Sequence, residues 1–69
     1  MIKEYLITFG EILHILKSGK IVYREDLPDT IYYKYEEGFI FECDAEADGY
    51  YYKINPEMDL SKYKYYILV

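Results

Sequence analysis

Residues 8–24 read Thr8-Phe9-Gly10-Glu11-Ile12-Leu13-His14-Ile15-Leu16-Lys17-Ser18-Gly19-Lys20-Ile21-Val22-Tyr23-Arg24. This stretch decides the fold: it encodes a helix with both ends specified, running directly into a strand. Thr8 and Glu11 have the Thr-x-x-Glu spacing of a capping box, in which each side chain satisfies a backbone donor left without a partner at the helix start. Phe9, Ile12, Leu13 and Leu16 recur at i, i+3, i+4 and i+7, which makes one apolar helical stripe. Lys17 falls in the last turn, where a cation meets the negative end of the helix dipole. Gly19 fits the left-handed position that closes a helix. The spacing therefore predicts a helix over about 9–18.

Beyond the helix, Lys20 to Arg24 reads as a first strand, with Ile21 and Tyr23 on one face and Val22 on the other. Glu25 to Asp29 is a polar connection in which Pro28 disfavours a central strand. Thr30 to Tyr35 and Phe39 to Cys43 are β-rich runs flanking Glu36-Glu37-Gly38, a hairpin loop whose glycine can take a positive φ. In the second run Phe39, Phe41 and Cys43 alternate with Ile40 and Glu42, so the first three are expected to face the core. Asp44 to Gly49 is a second loop, Tyr50 to Ile54 a further strand, and Asn55-Pro56 its end. Asp59 to Lys62 forms a helical turn before a closing strand, Tyr65 to Val69. One helix followed by about five short strands predicts a single small α+β domain over residues 1–69, with the N-terminal helix packed on an antiparallel sheet.

The composition narrows what such a domain does. A chain of 69 residues buries only roughly 60% of its unfolded surface. Cys43 is its only cysteine, so no disulfide within the chain supplements the core. Oligomerisation is the remaining common route to stability, and a homo-oligomer, dimer or tetramer, is expected. There is no run of the roughly 18 apolar residues needed to span a membrane and no signal-peptide pattern, so the expected location is the cytoplasm. A net charge of −5 argues against direct nucleic-acid binding, which draws on basic surface. Eleven tyrosines and no tryptophan supply rings with an apolar body and a polar tip, suited to strands, core and stacking surfaces.

Few residues have the pattern of a chemical site. Asp44 to Gly49 resembles the front half of a calcium loop, but Asn55 stands where the bidentate carboxylate belongs. His14 has no second histidine or cysteine at ligand spacing. Nucleophilic chemistry at Ser18 or Ser61 would need a nearby base, for which His14 is the only histidine, and Glu36/Glu37 reads as turn surface. No glycine-rich loop cradles a phosphate. The residues imply no enzyme, no metal and no cofactor. What remains is binding: Lys17, Lys20 and Arg24 gather near the helix–strand corner, and an arginine at a strand end can clamp a phosphate bidentately. The alternative for Arg24 is an ion pair with Glu25 or Asp26.

The residues Thr8-Phe9-Gly10-Glu11, Leu13, Leu16-Lys17, Gly19-Lys20, Val22 and Arg24 resemble, without a gap, the opening T-F-G-E-A-L-x-x-L-K-x-G-K-x-V-x-R of a phage protein family. That family was long described as a domain of unknown function. It includes the second type of Thoeris anti-defence protein, which sequesters the cyclic nucleotide signals of bacterial immunity. Asp59-Leu60, Tyr65 and Ile67 are similar to its closing D-L-L-x-x-D-W-x-I. The family's G-W-N-G after the arginine is Asp26-Leu27-Pro28-Asp29 here, and its closing Asp-Trp is Lys64-Tyr65. The resemblance implies a phage-encoded counter-defence protein of the host cytoplasm that binds a signalling nucleotide without catalysis, in a pocket at a subunit interface. Arg24, Lys20 and Lys17 would hold phosphate, and Tyr23 or Tyr65 would stack on a base.

A different class of function stays open beside it. Thirteen carboxylates and a tyrosine-rich surface can imitate nucleic acid and block a host defence nuclease or another basic protein, through Glu36 to Asp48.

Overall fold

The computed structural model describes residues 1–47 and 51–69. The elements, in chain order, are β1 (Lys3–Leu6), α1 (Phe9–Lys17), β2 (Tyr23–Arg24), β3 (Ile31–Glu36), β4 (Phe39–Asp44), β5 (Tyr51–Ile54) and β6 (Tyr65–Leu68). The helix ends where its sequence says it should. Thr8 Oγ1 accepts from the Glu11 N–H at 3.1 Å, and Glu11 Oε1 reaches back to accept from the Ile7 N–H at 2.8 Å. At the other end Gly19, at φ 92°, turns the chain so that its N–H meets the Leu16 carbonyl and the Lys20 N–H meets the Ile15 carbonyl. That pair of bonds is a Schellman closure.

The strands form two antiparallel sheets of three, β1–β6–β2 and β3–β4–β5, rather than the single sheet of about five expected above. Two local facts explain the difference. The first strand precedes the helix: Lys3–Leu6 pairs along β6, from Lys3 opposite Leu68 to Leu6 opposite Tyr65. The run expected as a strand over Lys20–Arg24 is regular only at Tyr23–Arg24, with Val22 making an isolated bridge to Tyr33. The Val22 N–H donates to the Tyr33 carbonyl at 3.1 Å and the Tyr33 N–H returns to Val22 at 2.7 Å. Those two bonds join one sheet to the other.

The helix lies across the inner faces of both sheets. Ile12 and Leu16 are fully buried with Leu6, Val22, Tyr33, Tyr65 and Ile67, and Ile15, Tyr35 and Ile40 pack around them. The alternation expected at Ile21, Val22 and Tyr23 is present, with Val22 inside. The alternation expected in β4 is reversed. Ile40 packs on the core, whereas Phe39 is exposed and Cys43 is buried on the opposite face, across from Tyr32 and Tyr52. A strand that is apolar on both faces gives no signal of which one turns inward.

The β3–β4 hairpin closes through Glu37 and Gly38, at φ 52° and 91°, with Glu36 paired to Phe39. Two consecutive positive φ values in a two-residue loop are the type I′ geometry, which favours Asn-Gly. Glu37→Asn should therefore stabilise the chain by about 0.5 kcal/mol, read as a higher urea midpoint at unchanged slope. The expected turn at 59–62 is also present. Tyr63 N–H donates to the Asp59 carbonyl at 2.8 Å, and the Asp59 carboxylate accepts from the Ser61 N–H and hydroxyl. Of the expected second loop and following strand, Asp48, Gly49 and Tyr50 lie outside the described residues.

Candidate functional site

The helix stripe is not fully covered, and the uncovered part forms the candidate site. Phe9, Leu13 and Lys17 are spaced by four, so they make one row along the helix beside the buried Ile12 and Leu16. Facing that row are Tyr35 and Ile40 of the second sheet, Phe39 at the hairpin tip, and Asn55, Pro56 and Met58 from the segment after β5. Together they wall a groove of about 430 Å³. That volume lies in the range of small-ligand sites.

The polar groups in this groove are few and of one kind. Lys17 Nζ stands 5.7 Å from the centroid of the Tyr35 ring. Asn55 adds an amide; its φ of 58° is a left-handed conformation that asparagine tolerates, and its N–H continues the ladder to the Ile40 carbonyl at 3.3 Å. Among the described residues no carboxylate lines the groove, in a chain of net charge −5. Phe9 and Tyr35 supply ring surface, with Phe39 only at the rim where the hairpin tip meets the groove, and Phe9 and Phe39 remain about half exposed at 44% and 52%. Had all of the helix stripe been packed, Phe9 would be core.

The other expected site residues are placed elsewhere. Lys20 and Tyr23 border a separate cavity of about 530 Å³ near the end of β6, lined mostly by Ile21, Leu68 and Val69. Tyr23 lies on the outer face of β1–β6–β2, stacked on Tyr66 with centroids 5.3 Å apart and planes at 17°. Burial and the neighbouring Tyr66 raise its hydroxyl pKa above the usual value. Tyr65 is fully buried in the core, edge-on to Tyr33 at 5.8 Å, with its hydroxyl donating to the Glu57 carbonyl at 3.1 Å. Burial pushes its pKa up to about 12, against the opposing effect of the nearby Arg24 guanidinium. A ring with no exposed surface cannot stack on a ligand in this conformation, so Tyr65 is a packing residue here.

Arg24 does not face a cavity as a free cation. Its Nε and Nη2 donate to the two oxygens of Asp26 at 2.7 and 3.2 Å, and its guanidinium lies over the Tyr63 ring at 3.9 Å. The side chain is 12% exposed. The bidentate geometry anticipated for a phosphate is met by a carboxylate two residues along the chain. Lys17, Lys20 and Arg24 therefore occupy three surroundings: Lys17 lines the groove, Lys20 a different cavity, and Arg24 is held by Asp26 and Tyr63. Arg24→Ala should lower stability by about 1–2 kcal/mol through loss of the Tyr63 stack and the Asp26 pair. Urea unfolding checks this, and the folded variant should keep whatever ligand affinity the groove provides.

Among the described residues the carboxylates from Glu36 onward are dispersed. Glu36 pairs with Lys34 at 3.6 Å and Glu57 with Lys62 at 3.9 Å. Glu42 accepts the buried Tyr33 hydroxyl at 2.8 Å. Glu36 and Glu37 sit at one end of the β3–β4 hairpin and Asp44 and Glu46 at the other, roughly 17–20 Å away for a strand of this length. Asp44 is engaged locally, its carboxylate accepting from the Glu46 N–H at 2.9 Å. No group of three possible metal ligands occurs among the described residues, and no helix among them is long and apolar enough to cross a membrane.

Comparison of the chain with known protein families, with curated proteins and with solved structures finds no match.

Proposed function

We propose that this protein is a non-catalytic binding protein whose groove beneath the Phe9–Leu13–Lys17 row takes a signalling nucleotide, in keeping with the counter-defence role that the resemblance of residues 8–24 implies. The observation that carries this reading is the composition of the groove: one lysine, one asparagine, the rings of Phe9 and Tyr35 with Phe39 at the rim, and no carboxylate among the described residues. In an acidic chain an anion is repelled from most of the surface, so a wall free of carboxylates is where one can approach. A base fits between rings, each stacking contact being worth about 1–3 kcal/mol. Lys17 meets a phosphate and offsets the negative end of the helix dipole beside it. Asn55 offers both a donor and an acceptor to a base edge. Withholding the ligand from a host effector needs no bond to be broken, only an affinity that competes.

Isothermal titration against a panel of cyclic mono- and dinucleotides tests the reading. Binding by at least one member, weakened about 10- to 100-fold in Lys17→Ala, is the expected result. Silence across the panel removes the nucleotide, and unchanged affinity in Lys17→Ala removes the groove.

A further inference from the structure

The β3–β4–β5 sheet has a second face, turned away from the helix, and among the described residues no other element packs on it. Antiparallel sheets that leave one face in water alternate apolar and polar residues, with the polar set outward. Here the outward set is apolar. Phe39 and Phe41 come from β4, and Tyr52 and Ile54 from β5. Phe41 packs edge-on against Tyr52 at 5.8 Å, yet Phe39, Tyr52 and Ile54 remain 52%, 45% and 53% exposed. The charged residues of this face are Lys34 and Glu36 on β3, paired at 3.6 Å, with Lys34 Nζ also 4.8 Å over the Tyr52 ring. A contiguous apolar sheet face of this kind marks an interaction surface.

Charge identifies the partner. Two copies of a chain of net charge −5 repel one another over most of their surfaces. The contact they can make at least electrostatic cost is one whose own charges cancel, and Lys34 with Glu36 cancel. The pair is also self-complementary. A two-fold axis that lays the two β3 strands antiparallel across the contact brings Lys34 of each copy toward Glu36 of the other, the isologous arrangement of a cyclic dimer. We propose that a second copy of this chain docks on the outer face of β3–β4–β5, burying Phe41, Tyr52 and Ile54 between two sheets. This sandwich covers the face that the helix leaves bare. It stands independently of the nucleotide reading.

Sedimentation equilibrium of the full chain, with two kinds of variant, tests the proposal. The chain should sediment at twice its 8.4 kDa mass. Ile54→Lys should weaken self-association at least about tenfold, since it sets a cation into each half of the apolar contact. Lys34→Glu and Glu36→Lys should each dimerise poorly alone, because the face then carries charges of one sign. Mixed in equal amounts, the two variants should associate to within about threefold of the natural chain, because opposite signs meet again at both positions. Circular dichroism on each variant confirms the fold. A natural chain that stays monomeric at every concentration, including one that instead captures a different protein, overturns the proposal. So does a dimer that ignores Ile54→Lys, or one in which the mixed variants associate no better than each alone.

Discussion

Tyr33→Ala should leave the chain unfolded in buffer at room temperature, whereas Tyr33→Phe should fold and lose only about 1–2 kcal/mol. Tyr33 is fully buried and does three things at once. Its ring packs against Tyr65 and the helix residues Ile12 and Leu16. Its backbone makes both bonds of the Val22 bridge that joins the sheets. Its hydroxyl donates to Glu42 at 2.8 Å. Truncating a buried aromatic costs about 3–5 kcal/mol through lost transfer energy and the cavity left behind. A chain of this size has a total stability of only about 3–10 kcal/mol. Removing the ring also takes away a surface on which the two sheets and the helix meet, so the hole opens at the centre of the core. Phenylalanine keeps that surface and loses the charge-assisted bond alone, for a half-buried carboxylate that water can reach. Circular dichroism and urea unfolding of both variants check the contrast. Equal losses in the two would mean that the hydroxyl, not the ring, holds the sheets together.

The second large effect is alkaline unfolding. Burial, and then the hydrogen bond to Glu42, push the Tyr33 hydroxyl far above the usual tyrosine value of 10. Burial pushes Tyr65 up to about 12. In the unfolded chain both phenols ionise near 10. Their contribution to stability is therefore fully present below pH 10 and is lost as the pH climbs through the folded-state values, at about 1.4 kcal/mol per pH unit per group. Over two pH units the pair withdraws roughly 5 kcal/mol, comparable to the whole stability. Cooperative loss of helix signal should accordingly occur between about pH 10 and 12, coincident with a step in tyrosinate absorbance. Tyr65→Phe should move the helix loss to higher pH. Retention of native circular dichroism through pH 12 would show that the two hydroxyls are not held neutral by the fold.

The parts of the fold that were legible in the sequence are the local ones. Thr8, Glu11, Lys17 and Gly19 act on neighbours within one helical turn, so their spacing is enough to place both ends of α1. Glu37-Gly38 sets its hairpin for the same reason. The strand before the helix was not legible, because Lys3-Glu4-Tyr5 is an exposed edge with no alternation and acquires its role only through β6, some sixty residues away. The division into two sheets rests on one bridge between Val22 and Tyr33, and that contact is no less remote from local pattern.

The candidate site divides in the same way. Lys17 was legible only as a cation at the helix end, grouped with Lys20 and Arg24, and its row with Phe9 and Leu13 emerges only from the fold. Which flank of the apolar stripe is packed and which stays open depends on where Asn55, Pro56 and Met58 return to the helix, and no helix-local reading contains that. Arg24 was read from the sequence in two ways, as a phosphate clamp or as the partner of Glu25 or Asp26, and the structure has the second. The strand-end arginine pointed to an anion, and an anion is there, but it is Asp26, two residues along the same chain.

The pairing of Ile2 with Val69, whose N–H groups and carbonyls exchange bonds of 2.9 Å, has a mechanical corollary. Because β1 and β6 run antiparallel from that point, a load applied through these two residues peels their ladder open rung by rung instead of shearing all its bonds together. The molecule thus yields readily to a pulling force applied at Ile2 and Val69, however well its interior resists heat or urea.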